Sequence, residues 1–135
     1  MTSAPREMQS RRRRAVSGAT GTAIAAEAAT FALASAIHFA TGFTDAAIPE
    51  LIIAAVLGYG GSAVLIRRPY AWGIAAGTTA FATFGTVVGL TIIATGRQDV
   101  PDLTYHAFVL TALAVTLIVL LRGDGGARRQ TPQRW

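Results

Sequence analysis

Residues 15–43 read AVSGATGTAIAAEAATFALASAIHFATGF. The stretch is almost wholly small and apolar. It exceeds the roughly 20 residues a helix needs to cross a hydrocarbon core about 30 Å thick. Two ionisable residues interrupt it, Glu27 and His38. A carboxyl at membrane depth is costly, and it is by default a candidate functional group.

Three more apolar runs follow: Ile48 to Ile66, opened by Pro49 in its first turn, then Ala71 to Thr95, then Leu103 to Leu121. Each is long enough to span a bilayer. None has a charged face at helical spacing, which disfavours the amphipathic helices of a soluble bundle. The connections are short, so neighbouring helices should pack antiparallel. The fold class predicted is all-α, a transmembrane four-helix bundle with spans at about 15–43, 48–66, 71–95 and 103–121. The domain occupies residues 15–122, between tails 1–14 and 123–135 that read as disordered and cytoplasmic.

Composition agrees. Hydrophobic residues make up 52% of the chain and charged residues 14%, against about 25% charged in an average soluble domain. Cysteine is absent, which removes disulfides, thiolate metal sites and thiol nucleophiles. All 12 basic residues are arginine and the net charge is +5. These arginines flank the apolar runs, which reads as membrane topology and contact with anionic lipid rather than nucleic-acid binding. Arg11 to Arg14, Arg67-Arg68 and the C-terminal Arg128, Arg129 and Arg134 fall on one side under strict alternation of four spans. The other two connections carry Asp45, Glu50, Asp99 and Asp102, with Arg97 alone basic. The positive-inside rule then predicts both termini in the cytoplasm. Tyr70 and Trp72 would anchor the inner interface and Tyr105 the outer. All-arginine, alanine-rich usage points to a GC-rich bacterial genome, hence to the bacterial inner membrane. A signal peptide cleaved after Ala34-Ser35-Ala36, with Ser10-Arg11-Arg12 as a twin-arginine start, is the competing reading. Glu27 and the length of the run before that site weigh against it.

Glu27 should lie near the bilayer midplane. Gly58 and Tyr59 of the second span, Thr83 with Thr79 or Thr86 of the third, and Thr111 of the fourth are expected at its depth. No arginine is available there as a counter-ion, and desolvation favours the neutral carboxyl. Such a group can bind a cation, carry a proton, or act as a hydrogen-bonding strut between helices. His38 lies three turns further on the same helical face, about 16 Å away by helical rise. The two are too far apart for one metal ion, but one polar cleft could hold both. His106 begins the fourth span at a depth similar to His38. Together the histidines could ligate haem or, with Asp45, Glu50, Asp99 or Asp102, a divalent metal. Simple hydrogen bonding to carbonyls or hydroxyls is the plainer alternative. Asp102 and Glu50 read as helix N-terminal caps. Small residues recur at four-residue spacing at Gly73, Gly77, Gly85 and Gly89, with Phe81 completing the row, and Gly21, Ala25, Ala28, Ala32 and Ala36 give the first span a similar surface. Such rows let helices approach closely, within one bundle or across a homodimer or a membrane-protein partner. No catalytic motif is present, so the chain does not read as an enzyme and no cofactor is required.

Ala26-Glu27-Ala28 followed by His38, Arg68-Pro69, Phe84-Gly85-Thr86-Val87-Val88-Gly89, and Pro101-Asp102 with Tyr105-His106 resemble a group of small four-span bacterial integral membrane proteins of unassigned function. That resemblance implies a stand-alone four-helix unit. Size, span number and the single first-span glutamate also look like the small multidrug-resistance transporters. This likeness implies proton exchange at Glu27, with Tyr59 as the main aromatic near a bound cation. Three functional classes follow: binding or transport of a small ligand, cation or proton through Glu27, with His38, Tyr59 and Thr83 around it; a haem or metal protein on His38 and His106; and a structural or accessory subunit of a membrane complex.

Overall fold

The computed structural model describes residues 3–96 and 100–128. Residues 1–2, 97–99 and 129–135 lie outside the described residues, and with them the readings placed on Arg97, Asp99, Arg129 and Arg134. Four helices follow in order: α1 (Ser3–Ala40), α2 (Thr44–Leu65), α3 (Ala71–Thr95) and α4 (Val100–Arg128). Each contains a segment long and apolar enough to cross a membrane. The described residues therefore form an all-helical bundle of four helices, consistent with a small multi-pass membrane protein.

Side-chain contacts fix an antiparallel up-down-up-down register. Gly21 of α1 lies against Gly61 and Leu65 of α2, while Gly60 of α2 meets Thr78 of α3. Ile53 of α2 lies against Gly85 of α3. Gly123 of α4 meets Trp72 of α3, and Gly89 of α3 meets His106 of α4. Among neighbours around the ring, the α1–α2 seam is the most extensive and the α1–α4 seam the least. The α1–α4 seam is thus the loosest in the ring.

The interior is unlike that of a soluble bundle. Apart from Ile24, Phe31, Leu57 and a few other larger side chains, its buried positions are alanines, threonines and Ser35, together with Glu27, Glu50 and His106. The large apolar residues face outward, with Phe84 70% exposed and Phe108 72% exposed. This distribution suits hydrocarbon as the solvent, where small residues at interfaces allow backbones to approach. The row of small residues on α3 divides accordingly. A Cβ at Gly73 or Gly77 would meet nothing, whereas one at Gly85 or Gly89 would press on α2 or α4.

Helix boundaries differ from the sequence expectation in three places. α1 begins at Ser3 rather than Ala15, because Arg6 to Arg14 is rich in good helix formers. At about 1.5 Å per residue, its 38 residues extend to about 57 Å, well beyond a hydrocarbon core. α4 likewise runs from Val100 to Arg128 rather than from Leu103 to Leu121. α2 begins at Thr44 rather than Ile48, which puts Pro49 in its second turn. There the ring removes the N–H that would have bonded the Asp45 carbonyl.

Two turns set the positions of the helices. α1 ends when Phe43 N–H donates to the His38 carbonyl at 2.8 Å and Gly42 N–H donates to that of Phe39 at 3.3 Å. This is a Schellman cap, and Gly42, at φ +82°, supplies its left-handed residue. Its apolar closure is the edge-on contact of His38 with Phe43, ring centres 6.3 Å apart. α2 closes in the same way, with Arg68 N–H donating to Ala63 at 2.9 Å and Arg67 N–H to Val64 at 3.2 Å. Arg67, at φ 56°, occupies the left-handed position usually given to glycine.

Candidate functional site

The end of the bundle formed by the α1–α2 and α3–α4 connections, here the distal end, gathers most of the histidine and carboxyl side chains among the described residues. The Schellman cap holds the last turn of α1 so that His38 faces α2. His38 Nδ1 lies 2.7 Å from Glu50 Oε2. Glu50 is buried, and its other oxygen, Oε1, has no hydrogen-bond partner among the described residues. Because α2 begins at Thr44, Glu50 stands nearly two turns inside the helix. It is not the N-terminal cap that its place after Pro49 implied; its partner comes from α1.

On α4, His106 Nδ1 donates to the Asp102 carbonyl at 3.0 Å and lies 3.1 Å from Asp102 Oδ1. A carbonyl can only accept, so Nδ1 carries the proton. In the neutral ring Nε2 is then an acceptor. Nε2 rests over Gly89, where a Cβ would come within 3.2 Å; any larger residue at Gly89 would push His106 away. Asp102 lies in the first turn of α4, where a carboxylate suits the helix dipole, and it also orients His106. Tyr105 packs edge-on against His106 and Phe31, with ring centres 5.3 Å and 6.4 Å apart. Glu50 lies within electrostatic reach of His38, His106 and Asp102.

Beside these groups is a cavity of about 310 Å³. Phe31, Ile53, Val88, Ile92 and Ile93 form much of its wall, and Glu50, Thr86, Asp102 and His106 supply polar atoms. A more open groove of about 980 Å³ adjoins it, lined by α1 residues including Thr30, Leu33 and His38 and by Pro101 and Tyr105 of α4. The two share Asp45, Ala46, Ile92, Ile93 and Asp102.

Glu27 sits elsewhere. It is buried against α4, where Thr116 O–H donates to its Oε1 at 2.7 Å, and Oε2 has no hydrogen-bond partner among the described residues. It lines neither cavity. Its α4 partner is Thr116 rather than Thr111. Thr116 shares the inward face of α4 with the buried Val109, Leu113 and Leu120. Thr111 is exposed and bonds back to the Ala107 carbonyl at 2.9 Å. Tyr59 is 52% exposed on the outward side of α2. Thr83 donates to the Thr79 carbonyl at 2.8 Å, and no hydrogen bond joins it to Glu27 among the described residues. His38 and Glu27 share a face of α1, but one meets α2 and the other α4. Each histidine is engaged by its own carboxylate. Among the described residues no three His, Asp or Glu side chains converge as a metal-ligand set.

Sequence reasoning weighed Glu50 as a cap or as a metal ligand beside the histidines; what it missed is the direct pairing of Glu50 with His38, which joins the two histidines into one electrostatic group. The available signal was Thr44-Asp45, a pair well suited to starting a helix. Starting α2 there would have placed Glu50 beyond its first turn. Comparison of the chain with protein-family models, curated proteins and solved structures finds no match.

Proposed function

We propose that this is a small ligand-binding protein of a bacterial inner membrane, with both termini in the cytoplasm and the distal cavity in the outer leaflet. The arginine distribution supports the orientation. One observation carries the binding reading: a buried carboxyl with an unpartnered oxygen, Glu50, stands in the wall of a cavity of about 310 Å³. An unsatisfied acceptor of this kind costs about 1–3 kcal/mol, and a ligand that meets it recovers that cost. The volume lies at the lower end of small-molecule sites and suits a single-ring compound. The neighbouring groove opens along the loose α1–α4 seam and supplies a route from the lipid. A proton or cation site at Glu27 is the second reading. The unpartnered Oε2 of Glu27 favours it.

The test is saturable binding of cyclohexanol to the full chain in detergent, followed by NMR shifts of distal-end resonances. Ala46 is exposed and lines both spaces, so Ala46→Phe should plug the site while the bundle stays intact. Binding to wild type and its loss in Ala46→Phe are expected. Binding that survives the plug, or no saturable binding of any cyclohexyl probe to wild type, would overturn the cavity as the site.

A further inference from the structure

Among the described residues, the polar lining of the distal cavity offers acceptors and no free donor. Glu50 Oε2 is engaged by His38, and Oε1 is bare. The Nδ1 proton of His106 is committed to Asp102, which leaves Nε2 as a lone pair in the neutral ring. The hydroxyl proton of Thr86 is committed to the Ala82 carbonyl at 2.8 Å. Asp45 and Asp102 accept only. The charge balance points the same way. Around the cavity and its groove, α1 contributes His38, α2 contributes Asp45 and Glu50, and α4 contributes Asp102, His106 and, in the groove, Tyr105, while the cavity-lining stretch of α3 contributes no titratable group among the described residues. Three carboxyl groups stand against two histidines, so the ionised group is anionic whichever charge state the histidines hold. The rest of the wall is apolar.

We infer that the ligand of this cavity is an apolar body carrying a primary ammonium, whose N–H groups are shared between Glu50 Oε1 and His106 Nε2. The inference rests on the cavity being a ligand site and adds the chemistry of the ligand. It requires N–H donors as well as positive charge. A quaternary ammonium brings the charge without the donors, and an alcohol brings one donor without the charge.

Four probes of similar ring size separate these terms on the full chain in detergent at neutral pH: cyclohexylammonium, N,N,N-trimethylcyclohexylammonium, cyclohexanol and methylcyclohexane. Cyclohexylammonium should bind roughly tenfold to a hundredfold more tightly than the other three, the worth of one or two hydrogen bonds between charged groups. Glu50→Gln should reduce that preference to within about threefold and leave cyclohexanol binding in place, which shows that the cavity is still formed. His106→Phe is the second variant, read against cyclohexanol in the same way, should Glu50→Gln not fold. Equal binding of the trimethyl probe or cyclohexanol by wild type overturns the ammonium inference and leaves the cavity standing as a site. So does an ammonium preference that persists in a variant still binding cyclohexanol. If none of the four binds wild type, the cavity reading falls as well.

Discussion

Replacing Thr116 by valine removes one hydroxyl and almost no volume, so it isolates the clasp between α1 and α4. Thr116 is 8% exposed and Glu27 9%, and water cannot readily take the place of the lost donor. The variant leaves both Glu27 oxygens bare, since Oε2 already has no partner. The cost depends on the charge of the carboxyl. A hydrogen bond between neutral groups contributes about 0.5–1.5 kcal/mol net, and between membrane helices the average is about 0.6 kcal/mol. Removing the only partner of a buried charge costs about 3–5 kcal/mol. No cationic side chain pairs with Glu27 among the described residues, so the neutral figure applies. Thr116→Val should therefore destabilise the bundle by about 1 kcal/mol. Reversible unfolding in mixed micelles, followed by helical circular dichroism against the mole fraction of dodecyl sulfate, would measure it. A cycle with Glu27→Leu, which removes the acceptor, should return most of that value as coupling, whereas one with Glu27→Gln should return little, because the amide oxygen still accepts. A change under about 0.2 kcal/mol would refute the clasp. A loss above about 3 kcal/mol would refute the neutral carboxyl.

The same assay reads two further pairs. His38→Leu strips Glu50 of its one partner and should cost about 3–5 kcal/mol, while His38→Leu with Glu50→Leu should regain most of that loss; a double variant as unstable as the single would contradict a buried pair. Gly61→Val drives a side chain into the backbone of α1, where even a Cβ would lie 3.2 Å from Ala25 N and from Gly21 O, and should destabilise by about 1–3 kcal/mol. Gly77→Ala meets nothing within 4 Å and should stabilise by up to about 1 kcal/mol through helix propensity. Equal signs for these two glycines would contradict the assignment of inward and outward faces.

The existence of the four helices was legible because a bilayer span imposes a length and an apolar content that few other elements share. α3 appears at its expected bounds, Ala71–Thr95. The ends of the other helices were less legible. Hydropathy marks where a chain meets water, not where its hydrogen bonding stops, so the polar turns at Ser3, Thr44 and Val100 were read as tail or loop. The error at Thr44 propagated: with α2 started at Ile48, Glu50 became a cap and its pairing with His38 was hidden. Depth was easier to read than direction. Thr111 and Tyr59 were placed near Glu27 by counting rise, yet both point away from the interior. Within an all-apolar helix no polar stripe marks which side is inside, so the rotation of α2 and α4 had no signal in the sequence.

The placement of small residues inside and large ones outside has a consequence for how little the chain must give up to assemble. Fixing alanine or glycine in an interior costs no rotamer freedom, while leucine, isoleucine and longer side chains lose about 0.5 kcal/mol or more each. Here Ala28, Ala54, Ala63, Ala75 and Ala82 are buried. Phe84, Phe108, Val115 and Leu121 lie outside, where they stay free to exchange rotamers. Docking the helices therefore orders few mobile side chains. The modest attractions that remain between membrane helices are set against a correspondingly small entropic opposition.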